Sequence, residues 1–246
     1  MTIAANHKHD LLFLPGLLSN ERFWQPHVDA SEEKLPGQFR AQIVKLSSAE
    51  TFDELADEIL RRAPDRFGLI GHSLGGYIAL EIMARAPERI SCLVLVNSSA
   101  FVDKPEGKSA RLKMIDAVSA GKFEGVYNRV VGALAPDGND AIKYTMLAMA
   151  KDYTADRFIN HQKAIIGRPD RTDELGKIKC PTLIVSGTRD PVTLPSASAF
   201  MHKAISGSSH VEIDAGHMAP LEAPDEFSAA LTEFLNATYA TAGAEA

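Results

Sequence analysis

The sequence is poor in the features that mark several large classes of protein. Its 246 residues include only two cysteines, Cys92 and Cys180. Each borders an apolar run, which predicts reduced, buried thiols and neither a disulfide framework nor a zinc site. The longest stretch without Asp, Glu, Lys, Arg or His, Ile90 to Val102, is too short to cross a bilayer as a helix. The first ten residues have no basic segment and no apolar core of a secretory signal, so we expect a cytoplasmic location.

Positive charge is scarce as well. The chain has 26 Lys and Arg residues against 32 Asp and Glu residues, a formal net charge of −6. Nucleic acids and anionic membranes attract basic patches, so we expect neither as a partner. No glycine-rich stretch precedes Lys-Ser or Lys-Thr, so a phosphate-binding loop is not expected. A small molecule remains as the expected partner, with no cofactor or metal, and the sequence leaves the oligomeric state open.

Short apolar runs alternate with helical patterns along most of the chain. Several runs lack the period-two alternation of a half-exposed strand, as expected for a parallel sheet covered by helices on both faces. The alternation predicts an α/β protein with a doubly wound, mostly parallel sheet of about six strands. The predicted strands are Leu11–Leu14, Ala41–Val44, Phe67–Ile70, Cys92–Val96, Thr182–Ser186 and His210–Ile213.

One interval, residues 101–179, breaks this alternation. It contains no convincing strand, and its length suits an insertion into a single α/β domain. We therefore predict a core formed by residues 1–100 and 180–246, with a helical cap inserted at 101–179. The candidate helices of the insertion are Lys108–Ser119, Phe123–Leu134, Ala141–Lys151 and Ala155–Ile166.

Residues 67–77 read FGLIGHSLGGY and place a serine between glycines. The G-x-S-x-G pattern follows a predicted strand and opens an almost wholly apolar helix, which is the context of a nucleophile elbow. Gly71 and Gly75 remove side chains that would collide around such a tight turn. A plain helix N-cap serine is the alternative. The pattern favours Ser73 as a nucleophile.

A serine nucleophile needs a base and an acid that orients the base. In this architecture both are expected, in the order acid then histidine, on loops that follow later strands. His217 lies just past the last predicted strand and is the candidate base. Asp190 is the only carboxylate in SGTRDPVTLP and is the candidate acid; Asp214 is a rival that we interpret as a turn residue. Structural roles are expected for His72, His161, His202 and His210.

Four segments carry a family resemblance that extends over nearly the whole chain. They read LFLPGLLSNERFW, LIGHSLGGYIALEIMARAPERI, CPTLIVSGTRDPVT and GHMAPLEAPDEF. In this order they resemble the α/β-hydrolase fold proteins of the cap-bearing, esterase-like kind. The resemblance implies that Ser73 is the nucleophile, His217 the base and Asp190 the orienting acid.

The resemblance also implies an oxyanion hole built from the backbone N–H groups of Leu17 and Leu74. Many relatives carry His-Gly at the first of these positions, whereas this chain has Pro15-Gly16, so Leu18 remains an alternative to Leu17. The first predicted strand begins near Leu11 and leaves no room for the hairpin that usually precedes it. We therefore expect six core strands and not the eight of larger relatives.

Three functions fit these residues. The leading hypothesis is hydrolysis of a carboxylic ester, thioester or lactone through an acyl-serine intermediate. The second keeps the same triad for C–C bond hydrolysis, lyase or perhydrolase chemistry, and the third is a ligand receptor without catalysis. An intact triad argues against the third.

The insertion begins where the serine emerges and is predicted to fold over Ser73 as a lid. As a group, its apolar side chains favour an uncharged, small-to-medium acyl or alkyl group, although for any one of them packing within the cap is the preferred explanation. Arg129 or Arg168 would favour a carboxylate if either faced the site, and the sequence leaves that open. The candidate pocket residues are Phe23, Trp24, Met114, Phe123, Tyr127, Val130, Met146 and Met149.

Overall fold

The structure, a computed structural model, describes residues 9–135 and 139–240. The first eight residues, which contributed to the expectation of no secretory signal, lie outside this range. Two short 3₁₀ turns occur at Pro87–Arg89 and Thr172–Lys177. The other elements, in chain order, are β1 (His9–Leu14), α1 (Glu21–Lys34), β2 (Phe39–Ile43), α2 (Phe52–Arg62), β3 (Phe67–His72), α3 (Leu74–Arg85), β4 (Ile90–Val96), α4 (Pro105–Ser119), α5 (Phe123–Leu134), α6 (Asp140–Lys151), α7 (Ala155–Gly167), β5 (Thr182–Gly187), α8 (Pro195–Ala204), β6 (Ser209–Ile213), α9 (Ala219–Glu222) and α10 (Pro224–Ala240).

Within the described residues, six strands form one sheet in the order β2-β1-β3-β4-β5-β6. Every neighbouring pair is parallel. The chain runs outward from β1 to β2 and then returns to β3 on the other side of β1. In open α/β sheets, ligands bind beyond the carboxyl ends of the strands where the order reverses in this way. The predicted doubly wound parallel sheet is confirmed.

Helices cover both faces of the sheet. Successive side chains of a strand point to opposite sides, so each strand contributes side chains to both buried layers. Leu11 and Phe13 of β1 pack into an apolar cluster with side chains of α1 and α10. Leu12 and Leu14 pack on the other face with side chains of α2, α3 and α8. This double burial explains why the inner strands β1, β3, β4 and β5 read as mainly apolar runs, whereas the edge strands β2 and β6 contain exposed polar residues.

Several helices begin at residues that suit a helix N-terminus. The Thr51 hydroxyl accepts a hydrogen bond from the backbone N–H of Glu54 (3.2 Å), which is one of the two bonds of a capping box. The helix α4 begins at Pro105, before the predicted start at Lys108, because proline is favoured in the first turn. No helix in the described part of the chain is long and apolar enough to cross a membrane.

Four helices, α4 to α7, occupy the described residues between β4 and β5. They pack on one another and are tied to loops that follow the carboxyl ends of β1 and β2. Asn20, after β1, donates to the Asp152 carboxylate (2.8 Å). His161 donates from Nε2 to the carbonyl of Ser47, after β2 (2.8 Å). The helices therefore contact the edge of the sheet at which Ser73 lies, and their role as a lid stays a prediction.

Candidate active site

Ser73 occupies a tight turn between β3 and α3, with φ 51° and ψ −113°. This positive φ is costly for a residue with a side chain, by about 1–3 kcal/mol. The flanking glycines make the turn feasible. A Cβ at Gly71 would lie 2.4 Å from the carbonyl oxygen of Gly75, and one at Gly75 would lie 2.2 Å from that of Leu14. The strained turn expected from the glycine spacing is present.

A continuous chain of hydrogen bonds links Ser73, His217 and Asp190. The Ser73 hydroxyl lies 3.0 Å from His217 Nε2, and His217 Nδ1 lies 2.8 Å from Asp190 Oδ2. An ionised carboxylate only accepts, so Nδ1 carries the proton that it receives. Nε2 is then free to accept the hydrogen of the Ser73 hydroxyl. The three residues come from the loops after β3, β5 and β6, which meet at one edge of the sheet.

The Asp190 carboxylate is buried yet held in its ionised form. Burial alone would raise its pKa, but hydrogen bonds from His217, Thr193 and Asn97 outweigh that effect, and the pKa lies below its ordinary value. Asn97 Nδ2 and Thr193 Oγ1 donate to Oδ2 at 2.7 and 2.6 Å. The N–H groups of Val192 and Thr193 donate to Oδ1 at 2.8 and 3.0 Å. The carboxyl is therefore a fixed negative charge beside His217.

The rival carboxylate, Asp214, lies elsewhere. Its side chain is 81% exposed and pairs with the guanidinium of Arg189. Thr188 Oγ1 also donates to it, at 3.3 Å. The structure brings Asp190, and not Asp214, to His217.

His72 contacts the loop that carries His217, and the sequence did not predict this contact. Its Nε2 donates to the backbone carbonyl of His217 (2.9 Å), and its ring packs against Phe23, with centroids 4.4 Å apart. Burial and the neighbouring His217 lower its pKa to about 3, so the ring is neutral. A Cβ at Gly16 would lie 2.7 Å from Nδ1. This one ring therefore contacts both the loop of His217 and the turn after β1.

Two further residues stabilise the loops of the site and were not singled out from sequence. Asn97, in a left-handed conformation (φ 44°), directly follows β4 and donates to Asp190. Glu222 accepts the N–H groups of Gly216 (2.8 Å) and Met218 (3.2 Å), on either side of His217. A polar residue just after a buried strand was the available signal for Asn97. The sequence signal for Glu222 was weaker, because it consisted only of an acidic residue shortly after the candidate base.

The candidate oxyanion donors lie on the turn after β1 and at the start of α3. Gly16 to Ser19 form a turn closed by a hydrogen bond from Ser19 N–H to the Gly16 carbonyl (3.2 Å). Leu18, within this turn, has a left-handed backbone conformation (φ 59°). Leu17 and Leu18 both stay candidate donors, together with Leu74, the first residue of α3.

The candidate pocket residues differ in how far their side chains are buried. Trp24 has no accessible surface and packs edge-on against Phe13 and Phe23, with centroids 5.4 and 4.8 Å apart. A side chain without accessible surface does not line a pocket, so neither Trp24 nor the equally buried Phe23 is retained. The other candidate pocket residues that are buried in the same apolar cluster are Tyr127, Met146 and Met149. The candidates that are only partly buried, and that are retained as lining residues, are Met114, Phe123 and Val130.

The two arginines considered as carboxylate clamps differ. Arg168 pairs with Asp103 (2.7 Å), donates to the Phe101 carbonyl (2.9 Å) and lies over the Tyr77 ring, 4.3 Å from its centroid. Its guanidinium is 5% exposed and fully engaged, so it does not offer a charge to a ligand. Arg129 is exposed on α5. Only Arg129 remains as a candidate clamp.

Three buried histidines predict that the fold loses stability on acidification. Burial lowers the pKa of His27 and of His161 to about 4, and burial together with His217 lowers that of His72 to about 3, from 6.5. Because the unfolded chain binds these protons first, the stabilisation present above pH 6.5 is lost as the pH falls toward 4. Each group contributes a slope of about 1.4 kcal/mol per pH unit.

Urea denaturation at a series of pH values between 7 and 4 measures this slope. The His27→Gln variant should weaken the dependence, and the variant of the exposed His202, His202→Gln, should keep it. A free energy of unfolding that does not change over this range would contradict the account.

Residues 11–230 match the alpha/beta hydrolase family, and the chain therefore belongs to that family. The resemblance stated from the four sequence segments is confirmed, and so is the expectation that the chain is an enzyme. The matched segment runs from β1 into α10 and includes the three residues of the hydrogen-bonded chain.

Individual relatives cover most of the chain at low identity. It is 24% identical over 226 residues to 3-oxoadipate enol-lactonase 1 of Acinetobacter baylyi, covering 88% of this chain and 85% of that protein. It is 29% identical over 243 residues to the pimeloyl-[acyl-carrier protein] methyl ester esterase of Aliivibrio salmonicida, covering 92% of each. The crystal structure of the enol-lactonase from Burkholderia xenovorans LB400 superposes with a TM-score of 0.83 at 21% identity, covering 94% of this chain and 92% of that one. That likeness shows the shared fold.

Proposed function

We propose that this enzyme hydrolyses carboxylic esters through an acyl intermediate on Ser73. The observation that carries the proposal is the hydrogen-bonded chain from the Ser73 hydroxyl through His217 to the ionised Asp190. A ligand receptor has no need of a serine on a strained turn with a base and an acid aligned behind it. Similarity to proteins named as an enol-lactonase and a methyl ester esterase supports an ester or lactone as the substrate.

In the proposed reaction, the Ser73 oxygen attacks the ester carbonyl while His217 Nε2 takes the hydroxyl proton. Asp190 stabilises the imidazolium that forms and holds Nδ1–H toward itself. The tetrahedral intermediate collapses as His217 gives the proton to the leaving alkoxide, which departs as the alcohol. Water then attacks the acyl-serine by the same route, releasing the carboxylic acid and restoring the Ser73 hydroxyl.

The negative oxygen of each tetrahedral intermediate is proposed to be bound by the N–H groups of Leu17 and Leu74. Leu74 opens α3, whose positive end faces the turn of Ser73. Leu17 directly follows Gly16 in the turn after β1 and is the donor that the family resemblance implies there. One such donor is typically worth about 3 kcal/mol in the transition state.

We further propose that α4 to α7 act as a lid and select an uncharged, small-to-medium acyl group. Three of the partly buried side chains of these helices are apolar candidates for the pocket wall: Met114, Phe123 and Val130. Arg168 is held by Asp103 and supplies no charge. A substrate carboxylate buried against such side chains without a partner is strongly disfavoured.

Kinetics across a panel of esters tests this selection. We expect kcat/KM for p-nitrophenyl esters to rise from acetyl to a medium-length acyl group and then to fall. Monoesters of dicarboxylic acids should be more than about tenfold poorer than neutral esters of equal length, because the free carboxylate is desolvated without a partner. Methyl esters and lactones belong in the same panel, since they distinguish leaving-group classes.

The Phe123→Ala variant should shift the optimum toward longer acyl groups, while Arg129→Ala should leave the ranking unchanged. A preference for carboxylate-bearing substrates that disappears in Arg129→Ala would show that Arg129 is a clamp and that the uncharged selection is wrong.

A further inference from the structure

Both oxygens of the Glu222 carboxylate bind the backbone of the loop that carries His217. Oε2 accepts the N–H of Gly216 (2.8 Å), and Oε1 accepts the N–H of Met218 (3.2 Å). These two residues flank His217 directly, so one side chain holds the chain before and after the candidate base. The proposed ester chemistry assigns no step to Glu222.

The two hydrogen bonds suit a carboxylate and no other common side chain of this length. Two N–H groups of different residues need two acceptor oxygens, and an ionised carboxylate only accepts. A glutamine has one acceptor oxygen, and its NH₂ group would face an N–H that also donates. The carboxylate packs closely against the loop, because a Cβ at Gly216 would lie 3.0 Å from Oε1 of Glu222.

Glu222 is placed by the short helix that follows His217. The N–H groups of Leu221 and Glu222, the last residues of α9, donate to the Met218 carbonyl at 2.7 and 3.0 Å. The side chain of Glu222 therefore folds back over the residues at which its own helix begins. Such a side chain also stabilises the start of a helix, as in a capping box, and that role alone would affect stability and not catalysis.

The carbonyl groups of the same loop are held by residues from other segments. Asn97 Nδ2 donates to the Gly216 carbonyl (3.2 Å), and His72 Nε2 donates to the His217 carbonyl (2.9 Å). Gly187, the last residue of β5, lets the loop lie close to the strand, since a Cβ there would be 2.1 Å from the Gly216 oxygen. The carbonyls are thus fixed by the core of the site, and the flanking N–H groups are fixed by Glu222.

The imidazole of His217 makes two hydrogen bonds at once, and both depend on where its backbone lies. Nε2 lies 3.0 Å from the Ser73 hydroxyl, and Nδ1 lies 2.8 Å from Asp190 Oδ2. A rigid ring that is attached to the chain at one point keeps both bonds only if that point stays in place. Misplacement of a catalytic group by roughly 1 Å costs about a hundredfold in rate.

We propose that Glu222 is a positioning residue, whose two hydrogen bonds hold the His217 backbone where the imidazole reaches Ser73 and Asp190 together. The inference rests on the proposed function, because it gives Glu222 a part in the step in which His217 takes the Ser73 proton. Glu222 takes up no proton and forms no bond to the substrate. It acts through His217.

The Glu222→Gln variant tests the proposal, because it keeps the size of the side chain and loses one of the two acceptors. We expect kcat for the best p-nitrophenyl ester to fall between about tenfold and a hundredfold, with little change in KM, since proton transfer to His217 belongs to the chemical step. The second-order rate constant for phosphonylation of Ser73 by a fluorophosphonate should fall at least about tenfold, because that reaction also needs His217 to activate the serine. Both constants are measured well below the melting temperature of each variant.

Glu54→Gln is the matched control. Glu54 also accepts a backbone N–H, that of Glu50 (3.0 Å), and its side chain is exposed in the first turn of α2. This variant should lower the melting temperature at most and leave kcat and the phosphonylation rate constant unchanged. If Glu222→Gln does not fold, Glu222→Asp takes its place. It keeps both oxygens but is one methylene shorter, so a smaller fall in both constants is expected.

The outcomes separate this inference from the function on which it rests. If Glu222→Gln, or Glu222→Asp in its place, changes only the melting temperature, Glu222 is a helix cap and the positioning role is wrong while ester hydrolysis stands. A fall in kcat without a fall in the phosphonylation rate constant, or a loss confined to KM, would also overturn the positioning role. If the wild type hydrolyses no ester and is not phosphonylated at Ser73, the proposed function fails, and the inference fails with it.

Discussion

Ser73→Ala is expected to abolish the turnover of every ester that the wild type hydrolyses. The substitution removes the atom that forms the acyl bond, and the remaining groups provide only weak catalysis by binding and oxyanion stabilisation. The loss in kcat should be at least about 10⁴-fold. Steady-state kinetics with a p-nitrophenyl ester measures it, and the circular dichroism spectrum and melting temperature should remain those of a folded protein.

A second substitution at this position separates chemistry from strain. The backbone of Ser73 lies at φ 51° and ψ −113°, which alanine shares at the same cost and glycine adopts without strain. Ser73→Gly should therefore be as inactive as Ser73→Ala but melt at a higher temperature. The relief of about 1–3 kcal/mol of strain exceeds the cost of about 0.4–1 kcal/mol that glycine adds through the unfolded chain. Substantial activity in both variants would mean that another residue is the nucleophile.

Asp190→Asn is expected to reduce kcat by about 10³ to 10⁴-fold while the protein stays folded. An amide carries no charge to stabilise the imidazolium of His217, and it does not enforce the tautomer in which Nδ1 holds the proton. An asparagine NH₂ group faces hydrogen-bond donors in either orientation. Asn97 and the Thr193 hydroxyl donate to Oδ2, and the N–H groups of Val192 and Thr193 donate to Oδ1. The measurement is kcat over a range of pH, so that a shifted optimum is not mistaken for a loss.

Asp214→Asn is the matched control for this variant. The two carboxylates flank the same region of the sheet edge, but Asp214 is exposed and pairs with Arg189. Loss of an exposed ion pair changes stability by about 1 kcal/mol at most, and kcat should stay within about twofold of the wild type. The reverse pattern, a large loss in Asp214→Asn and a small one in Asp190→Asn, would make Asp214 the orienting acid.

The sheet and the core of the site were predictable from sequence because both are encoded locally. The strands appear as short apolar runs because both faces of the sheet are covered, as Leu11 to Leu14 show. The turn at Ser73 is encoded by Gly71 and Gly75, where a Cβ would collide with the backbone. The loops of Asp190 and His217 follow their strands directly, so parallel topology brings them together.

The positions of other side chains depend on contacts between segments that are distant in sequence, and no local sequence pattern indicates such contacts. Trp24 lies shortly after the turn that follows β1, yet α1 directs its ring into the core against Phe13. Arg168 directly follows α7 and has no partner nearby in sequence that would mark its ion pair, but Asp103, 65 residues earlier in the chain, pairs with it. His161 sits in an amphipathic helix and carries no mark of its bond to Tyr153 and Ser47.

The proposed reaction places an acyl group on Ser73, and labelling with a fluorophosphonate is the direct test of that step. The reagent phosphonylates a serine that an adjacent histidine has activated, and mass spectrometry of proteolytic fragments locates the label. We expect one phosphonyl group per chain, on the peptide that contains Ser73, with a matching loss of ester turnover and no labelling of Ser73→Ala. A label on another residue, or full ester turnover after Ser73 is phosphonylated, would contradict it.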